Sequence, residues 1–262
     1  MSEKINQLLN TIVPGDIVVQ SWLSSQGISP QLARKYCESK WLIRLGVGAY
    51  YRTGKKPQWQ QAVHCLQYKK NEHIHVAGLS SLALQGKTHY IQMRENSIWL
   101  NIRTNSVLPK WFMNFPKMWG AETLADWYIL RTSKLSTLKD ADLIDLKVDG
   151  IQLKISSVEL AAYELLGEVP KHISFTHAAQ IFQGLVNLSP RKVQSLLERS
   201  NAVQTNRIFL FLGNYYKHQW MKKIDVSKIN LGSGKRHVVS SGKLDKQYSI
   251  TVPEEFISSE LE

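Results

Sequence analysis

The chain has 262 residues, of which 43% are apolar, with eight Trp and a formal net charge of +12. This composition excludes an intrinsically disordered chain. The longest apolar run, Ile208 to Leu212, is far short of the roughly 20 residues of a membrane-spanning helix. The positive charge points to a polyanionic partner, most often nucleic acid.

The charge is unevenly spread. Residues 1–56 carry eight Lys/Arg against three Asp/Glu, and residues 217–246 carry eight against two, so these two stretches hold 11 of the 12 net charges. Two clusters fit two contacts with one nucleic acid or two separate acidic partners; a merely solvated basic surface is the plainer alternative.

In chain order, "MSEKINQLLNTIVPGD" spaces Ile5, Leu8, Leu9 and Ile12 as one face of a helix over residues 2–12. It lacks the apolar core of a signal peptide. Cys37 and Cys65 stand outside any C-x-x-C pattern, which fits a reducing compartment, so a cytoplasmic protein is expected. After Pro14-Gly15, a second helix places Val19, Trp22 and Leu23 on one face. Gly27-Ile28-Ser29 is a tight turn, with Ser29 as N-cap and Pro30 at the first helical position of a third helix reaching about Lys40. From Leu42 to Arg52 the period changes to two around Gly46-Val47-Gly48, which reads as a hairpin. Helix, helix, turn, helix and hairpin form the order of a winged helix-turn-helix.

On the third helix, Leu32, Ala33 and Tyr36 face inward, whereas Gln31, Arg34, Lys35 and Glu38 share the opposite face. A recognition helix needs this division: Gln pairs with adenine and Arg with guanine in the major groove. Ser29 and the helix N-terminus can hold a phosphate. Lys40, Arg44 and Arg52 fall on the flank and wing, where phosphate contacts give affinity. An ordinary amphipathic helix with a solvated face has the same spacing.

Beyond residue 56, a helix begins near Trp59, "HIHVAG" is a short strand, and "LSSLALQG" is a helix closed by Gly86. "SIWLNIR" is a strand, and the aromatic, Pro-broken "LPKWFMNFPKMWG" reads as a packed loop. "LIDLKVDGIQLKIS" is a hairpin around Asp149-Gly150. "SSVELAAYELLG" is a helix with Ser156 or Ser157 as cap, and helices follow over 175–187, 190–200 and about 206–216, then β-rich pieces between Gly/Ser turns. The fold class is α+β: an N-terminal winged helix-turn-helix followed by a larger mixed α/β C-terminal domain. The expected division is 1–95, with the winged-helix core in about 1–56, and 96–262.

Candidate chemistry is thin. "LGSGKR" departs from a Walker A loop, since Ile229 replaces the first Gly and Arg236 the hydroxyl residue. Lys235 and Arg236 on this Gly/Ser turn, with Lys222 and Lys223 upstream, form a second basic patch able to face a phosphate. Its plain reading is a β-turn with exposed cations. His73 and His75 lack a third ligand nearby in sequence. Around Asp149, Gln152 stands where a two-carboxylate metal site needs an acid. No enzyme activity, metal or cofactor is expected. Ser189-Pro190 opens a helix that echoes Ser29-Pro30, either a second helix-turn-helix or a capped helical hairpin in the core.

"GISPQLARKYCESKWLIRLGVGAYYR", "HVAGLSSLALQGKTHY", "LPKWF" and "INLGSGKRHVVSSGKLDKQYSITVPEE" together resemble, in that order, the AbiEi antitoxin family, over about residues 14–255. The resemblance implies an antitoxin of a type IV toxin–antitoxin system, active in phage defence, that is also a transcriptional autorepressor. Its winged helix would bind inverted repeats in its own promoter DNA. Its C-terminal domain would oppose a cognate nucleotidyltransferase toxin. A winged-helix transcription factor with a ligand-sensing or dimerising C-terminal domain is the alternative, with a DNA-processing enzyme behind it.

Overall fold

The computed structural model describes residues 2–88, 97–118, 126–131 and 138–257. The expected boundary near residue 95, and Trp119, lie outside the described residues.

The N-terminal elements are α1 (Ser2–Thr11), β1 (Ile17–Val19), α2 (Gln20–Ser25), α3 (Pro30–Glu38), β2 (Leu42–Gly46) and β3 (Ala49–Arg52). The strands pair in the order β1-β3-β2, all antiparallel. This is a winged helix-turn-helix. Two boundaries differ from expectation. Val19 ends a strand instead of lying on α2: three consecutive β-branched residues, all buried, suit a pleated strand better than a helix turn. Helix α3 stops at Glu38 because Ser39 caps it.

Leu8, Ile12, Val18, Leu23, Ile28, Ala33, Tyr36 and Leu42 form one buried cluster, with Trp22, Leu32 and Cys37 packed against it. Every element of the subdomain except β3 contributes to its buried members, and β3 adds the partly buried Tyr50. The turn between α2 and α3 is made by Gly27, at φ 72°. Its N–H donates to Ser24 O at 3.0 Å and the next N–H, of Ile28, to Leu23 O at 2.9 Å. This is a Schellman closure, which satisfies carbonyls that the helix end leaves open.

The chain continues through α4 (Trp59–His64), which runs into a π-helical turn over Cys65–Lys69, then β4 (Ile74–Val76), α5 (Gly78–Leu84), β5 (Ser97–Ile102) and α6 (Lys110–Asn114). Next come β6 (Asp126–Arg131), β7 (Leu143–Val148), β8 (Ile151–Ser156), α7 (Val158–Leu166), α8 (Phe175–Gln183), α9 (Pro190–Glu198) and α10 (Val203–Tyr215). The final strands are β9 (Arg236–His237), β10 (Lys243–Asp245) and β11 (Ile250–Val252). A five-stranded sheet has the order β6-β5-β4-β8-β7, with β4 and β8 parallel, and a three-stranded sheet the order β10-β11-β9. Asp149 and Gly150, at φ 48° and 83°, turn the β7–β8 hairpin as the Asp-Gly pair requires.

The segment expected as an aromatic loop contains a helix, α6. Pro109 caps it, Trp111 and Phe112 are buried, and the Phe112 ring stacks on Trp127 with centroids 4.6 Å apart. Trp127 Nε1 donates to Phe112 O at 2.7 Å. Burial of large rings outweighs the weak helical signal of so short a segment. Helix α8 ends at Gln183, before Gly184, and α10 starts at Val203, so both expected boundaries shift by a few residues.

By spatial proximity the chain forms two compact units, each drawn from several stretches. One comprises Met1–His75, Met93–Leu130 and Asp145–Lys154; the other Val76–Gln92, Arg131–Ile144 and Ile155–Glu262. The first holds the winged helix. In it, Lys69 donates to Ile17 O at 2.9 Å, pairs with Asp16 at 3.4 Å and lies over the Trp22 ring. The second holds α5, α7 to α10 and the C-terminal sheet. Its core includes Tyr163, Phe182 and Phe209, and the Phe182 and Phe209 rings meet edge to face with centroids 5.0 Å apart.

Candidate nucleic-acid interface

Helix α3 is held at both ends. Ser29 Oγ accepts from the Leu32 N–H at 3.2 Å, and Pro30 occupies the first turn. At the other end the Lys40 N–H donates to Cys37 O at 3.0 Å and the Trp41 N–H to Tyr36 O at 2.9 Å. Ala33 and Tyr36 are buried and Leu32 is half-buried. The opposite face carries Gln31, Arg34, Lys35 and Glu38, all exposed. Among the described residues, Gln31, Arg34 and Lys35 have no side-chain hydrogen bond or ion pair. The expected division of the helix into anchoring and outward residues is therefore present in space.

The flanking cations differ from one another. Lys40 is exposed, immediately past the α3 cap, with a left-handed backbone at φ 58°. Arg44 is exposed on β2, and its Nε donates to Gly46 O at 3.3 Å, which leans the side chain along the wing. Arg52 is half-buried and turned the other way. Its Nη1 donates to Leu9 O at 2.7 Å and also to Ile12 O. The guanidinium thus closes the C-terminus of α1, a role set by packing that the alternation of β3 does not reveal. The structure gathers Ser29, Gln31, Arg34, Lys35, Lys40 and Arg44 on α3 and its wing and gives Arg52 a different task.

The wing also exposes apolar side chains that charge-based reading passes over. Trp41 is 47%, Ile43 41% and Val47, at the wing tip, 88% exposed. The alternation of β2 could have shown Ile43, since it lies between Leu42 and Arg44 on the outward phase.

The second basic patch lies in the other unit. Lys222 and Lys223 are exposed on a 3-10 turn, Gln219–Lys223. Lys223 lines a shallow groove with Pro190, Arg191, Gln194, Ser195 and Glu198 of α9. Gln194 is tied to residue 225, accepting from the Asp225 N–H at 2.8 Å and donating to its carbonyl at 3.0 Å. That face of α9 is thereby partly covered, unlike the open face of α3. Lys235 is exposed and Arg236 half-buried on the Gly/Ser turn. Beneath that turn lies Arg207, a buried cation immediately before the apolar run of α10 that sequence reading missed although "NRIFLFL" displays it.

The other candidates have structural partners. Asp149 accepts from Gln60 Nε2 at 2.7 Å, and His75 is buried. Among the described residues no three His, Cys, Asp or Glu side chains converge as metal ligands, and no helix is long and apolar enough to cross a membrane.

A capped, anchored helix with a basic outer face beside a two-stranded wing is the architecture of a winged helix-turn-helix domain. A family model described as "Transcriptional regulator, AbiEi antitoxin, Type IV TA system" matches residues 95–253, and one described as "Transcriptional regulator, AbiEi antitoxin N-terminal domain" matches residues 1–93. The chain belongs to the AbiEi antitoxin family of transcriptional regulators of type IV toxin–antitoxin systems. The crystal structure of the RV2827C protein from Mycobacterium tuberculosis is similar in fold, with a TM-score of 0.60 and 14% identity over 95% of this chain and 90% of that chain. No match is found among curated proteins.

Proposed function

We propose that the protein represses its own operon by placing α3 in the major groove of promoter inverted repeats, and that it counteracts a cognate nucleotidyltransferase toxin through residues C-terminal to the winged helix. Gln31, Arg34 and Lys35 read base edges. Ser29 and the α3 N-terminus, with Lys40 and Arg44, hold phosphates and fix the register. The single observation that carries this reading is the exposed, unengaged Gln31/Arg34/Lys35 face on a helix whose other face is locked into a core. Side chains held by no internal partner lose none when they meet DNA. The protein acts in the cytoplasm, where both operator and toxin are found, and performs no catalysis of its own.

The test is a Gln31→Ala/Arg34→Ala/Lys35→Ala variant of the full chain. It is expected to lose promoter binding in a mobility shift assay while still rescuing growth of cells that express the toxin. Retained operator binding would remove α3 from the interface. Loss of rescue by a folded variant would remove the separation of the two activities.

A further inference from the structure

Arg207 is 3% exposed, yet among the described residues no carboxylate pairs with it. Buried charges are ordinarily neutralised by a partner of opposite sign. Here the guanidinium instead donates to three backbone carbonyls: Nε to Leu231 O at 2.7 Å, and Nη1 to Gly234 O at 2.7 Å and Ser249 O at 3.0 Å. These bonds satisfy donors without cancelling the charge. Burial first, and the like charge of Arg236 second, push the Arg207 pKa below its ordinary value.

The carbonyls drawn inward fix where the N–H groups point. A peptide plane carries its C=O and the following N–H on opposite edges. With Gly234 O turned onto Arg207, the Lys235 N–H faces away from it. Neither that N–H nor those of Ser233 and Gly234 has a hydrogen-bond partner among the described residues. Gly232 and Gly234, at φ 57° and 71°, permit the alternating backbone that lines up successive N–H groups in a concave nest. Gly232 is further tied by its N–H to Asn230 Oδ1 at 3.0 Å, and a Cβ on it would come within 3.0 Å of Val203. Beside these N–H groups Lys235 is exposed and Arg236 half-buried, with Arg236 Nη1 donating to Lys235 O at 3.2 Å.

We propose that the turn Leu231–Arg236 is a phosphate-binding site, in which the N–H groups of Ser233, Gly234 and Lys235 and the side chains of Lys235 and Arg236 contact the anion while Arg207 shapes the nest and supplies uncompensated charge behind it. Residues 232–235 are all exposed, so no wall of the turn itself encloses a base or sugar. A phosphate in the backbone of a nucleic-acid strand fits such an open site, and the +6 charge of residues 217–246 gives the strand a further reason to stay. This site is separate from the winged helix and does not depend on the operator reading.

The test uses the full chain carrying Gln31→Ala, Arg34→Ala and Lys35→Ala, so that α3 does not contribute, with and without Lys235→Gln/Arg236→Gln. Amide NMR shifts are followed during titration with inorganic phosphate, a mononucleotide, and a single-stranded or duplex oligonucleotide, each against chloride at equal ionic strength. The expected result is a saturable movement of the Ser233, Gly234 and Lys235 amides that the double substitution weakens. For the oligonucleotides, the log–log salt slope becomes shallower by about one unit for each cation removed. A response to phosphate or mononucleotide without one to either oligonucleotide assigns the site to a small phosphate compound. Still amides with every probe, or equal shifts and slopes in the double variant, overturn the proposal.

Discussion

Gly27 and Lys40 hold the same left-handed position one residue past the caps of two successive helices. Each donates its N–H three residues back, Gly27 to Ser24 O and Lys40 to Cys37 O, both at 3.0 Å. Gly27 adopts φ 72° and Lys40 φ 58°. The conformation costs a glycine nothing, whereas a residue with a Cβ is strained there by roughly 1–2 kcal/mol. The first helix end uses the residue best suited to the turn; the second keeps a lysine.

A Lys40→Gly variant separates these two demands. Relief of strain offsets or outweighs the added freedom of the unfolded chain, about 0.4–1 kcal/mol, so the variant is expected to be more stable by up to about 1.5 kcal/mol. If Lys40 contacts a phosphate, the same variant binds promoter DNA more weakly, with a salt slope shallower by about one unit. Urea unfolding and salt-dependent binding measure the two effects. A variant that is stabilised and binds unchanged would leave the lysine without a DNA role.

Arg52 makes the opposite prediction. Its guanidinium bonds the C-terminal carbonyls of α1, so Arg52→Gln is expected to destabilise the winged helix by about 1.5–3 kcal/mol, the usual range for a hydrogen bond from a charged donor. At temperatures where the variant is folded, its salt slope for DNA should equal that of the parent. A shallower slope would return Arg52 to the wing contacts.

Sequence spacing alone reveals α3 and the sorting of its two faces because the cues are local: Ser29-Pro30 fixes the start, and the 3.6-residue period sorts Ala33 and Tyr36 from Gln31, Arg34 and Lys35. The role of Arg52 is not legible, since its carbonyl partners, Leu9 in the last turn of α1 and Ile12 just beyond it, lie about 40 residues away in sequence. Likewise, Arg207 reads as an oddity in an apolar helix until the turn at 231–236 closes over it. Short elements such as β1 and α6 are set by burial against distant side chains and leave little periodicity to read.

Tyr36 anchors α3 through its ring and not its hydroxyl. The residue is 4% exposed, and its Oη is buried with no hydrogen-bond partner among the described residues. Removing a hydroxyl that has lost water without gaining a partner is neutral or favourable. Tyr36→Phe is therefore expected to match or exceed the parent in stability by up to about 1 kcal/mol, with DNA affinity unchanged. Tyr36→Ala removes the ring and should cost about 3–5 kcal/mol. Thermal unfolding of the pair distinguishes ring packing from a hidden polar contact: a clear loss in the Phe variant would reveal a partner for the hydroxyl.

His218 gives the C-terminal unit a defined acid sensitivity. It is 5% exposed, with Nε2 at 3.2 Å from Phe182 O and its ring stacked beside Trp220. Burial lowers its pKa in the folded state, and the carbonyl contact offsets only part of that shift. The folded protein therefore binds fewer protons than the unfolded chain below the ordinary histidine pKa of about 6.5. Stability is complete above that pH and falls as pH drops from it toward the depressed folded value, with a slope of at most about 1.4 kcal/mol per pH unit for this site. His64, also lowered by burial, adds a slope of the same sign. His218→Gln should accordingly flatten part of the decline in unfolding free energy below pH about 6.5, with the contribution of His64 retained. A parent-like slope in the variant would show that His218 is not the group taking up the proton.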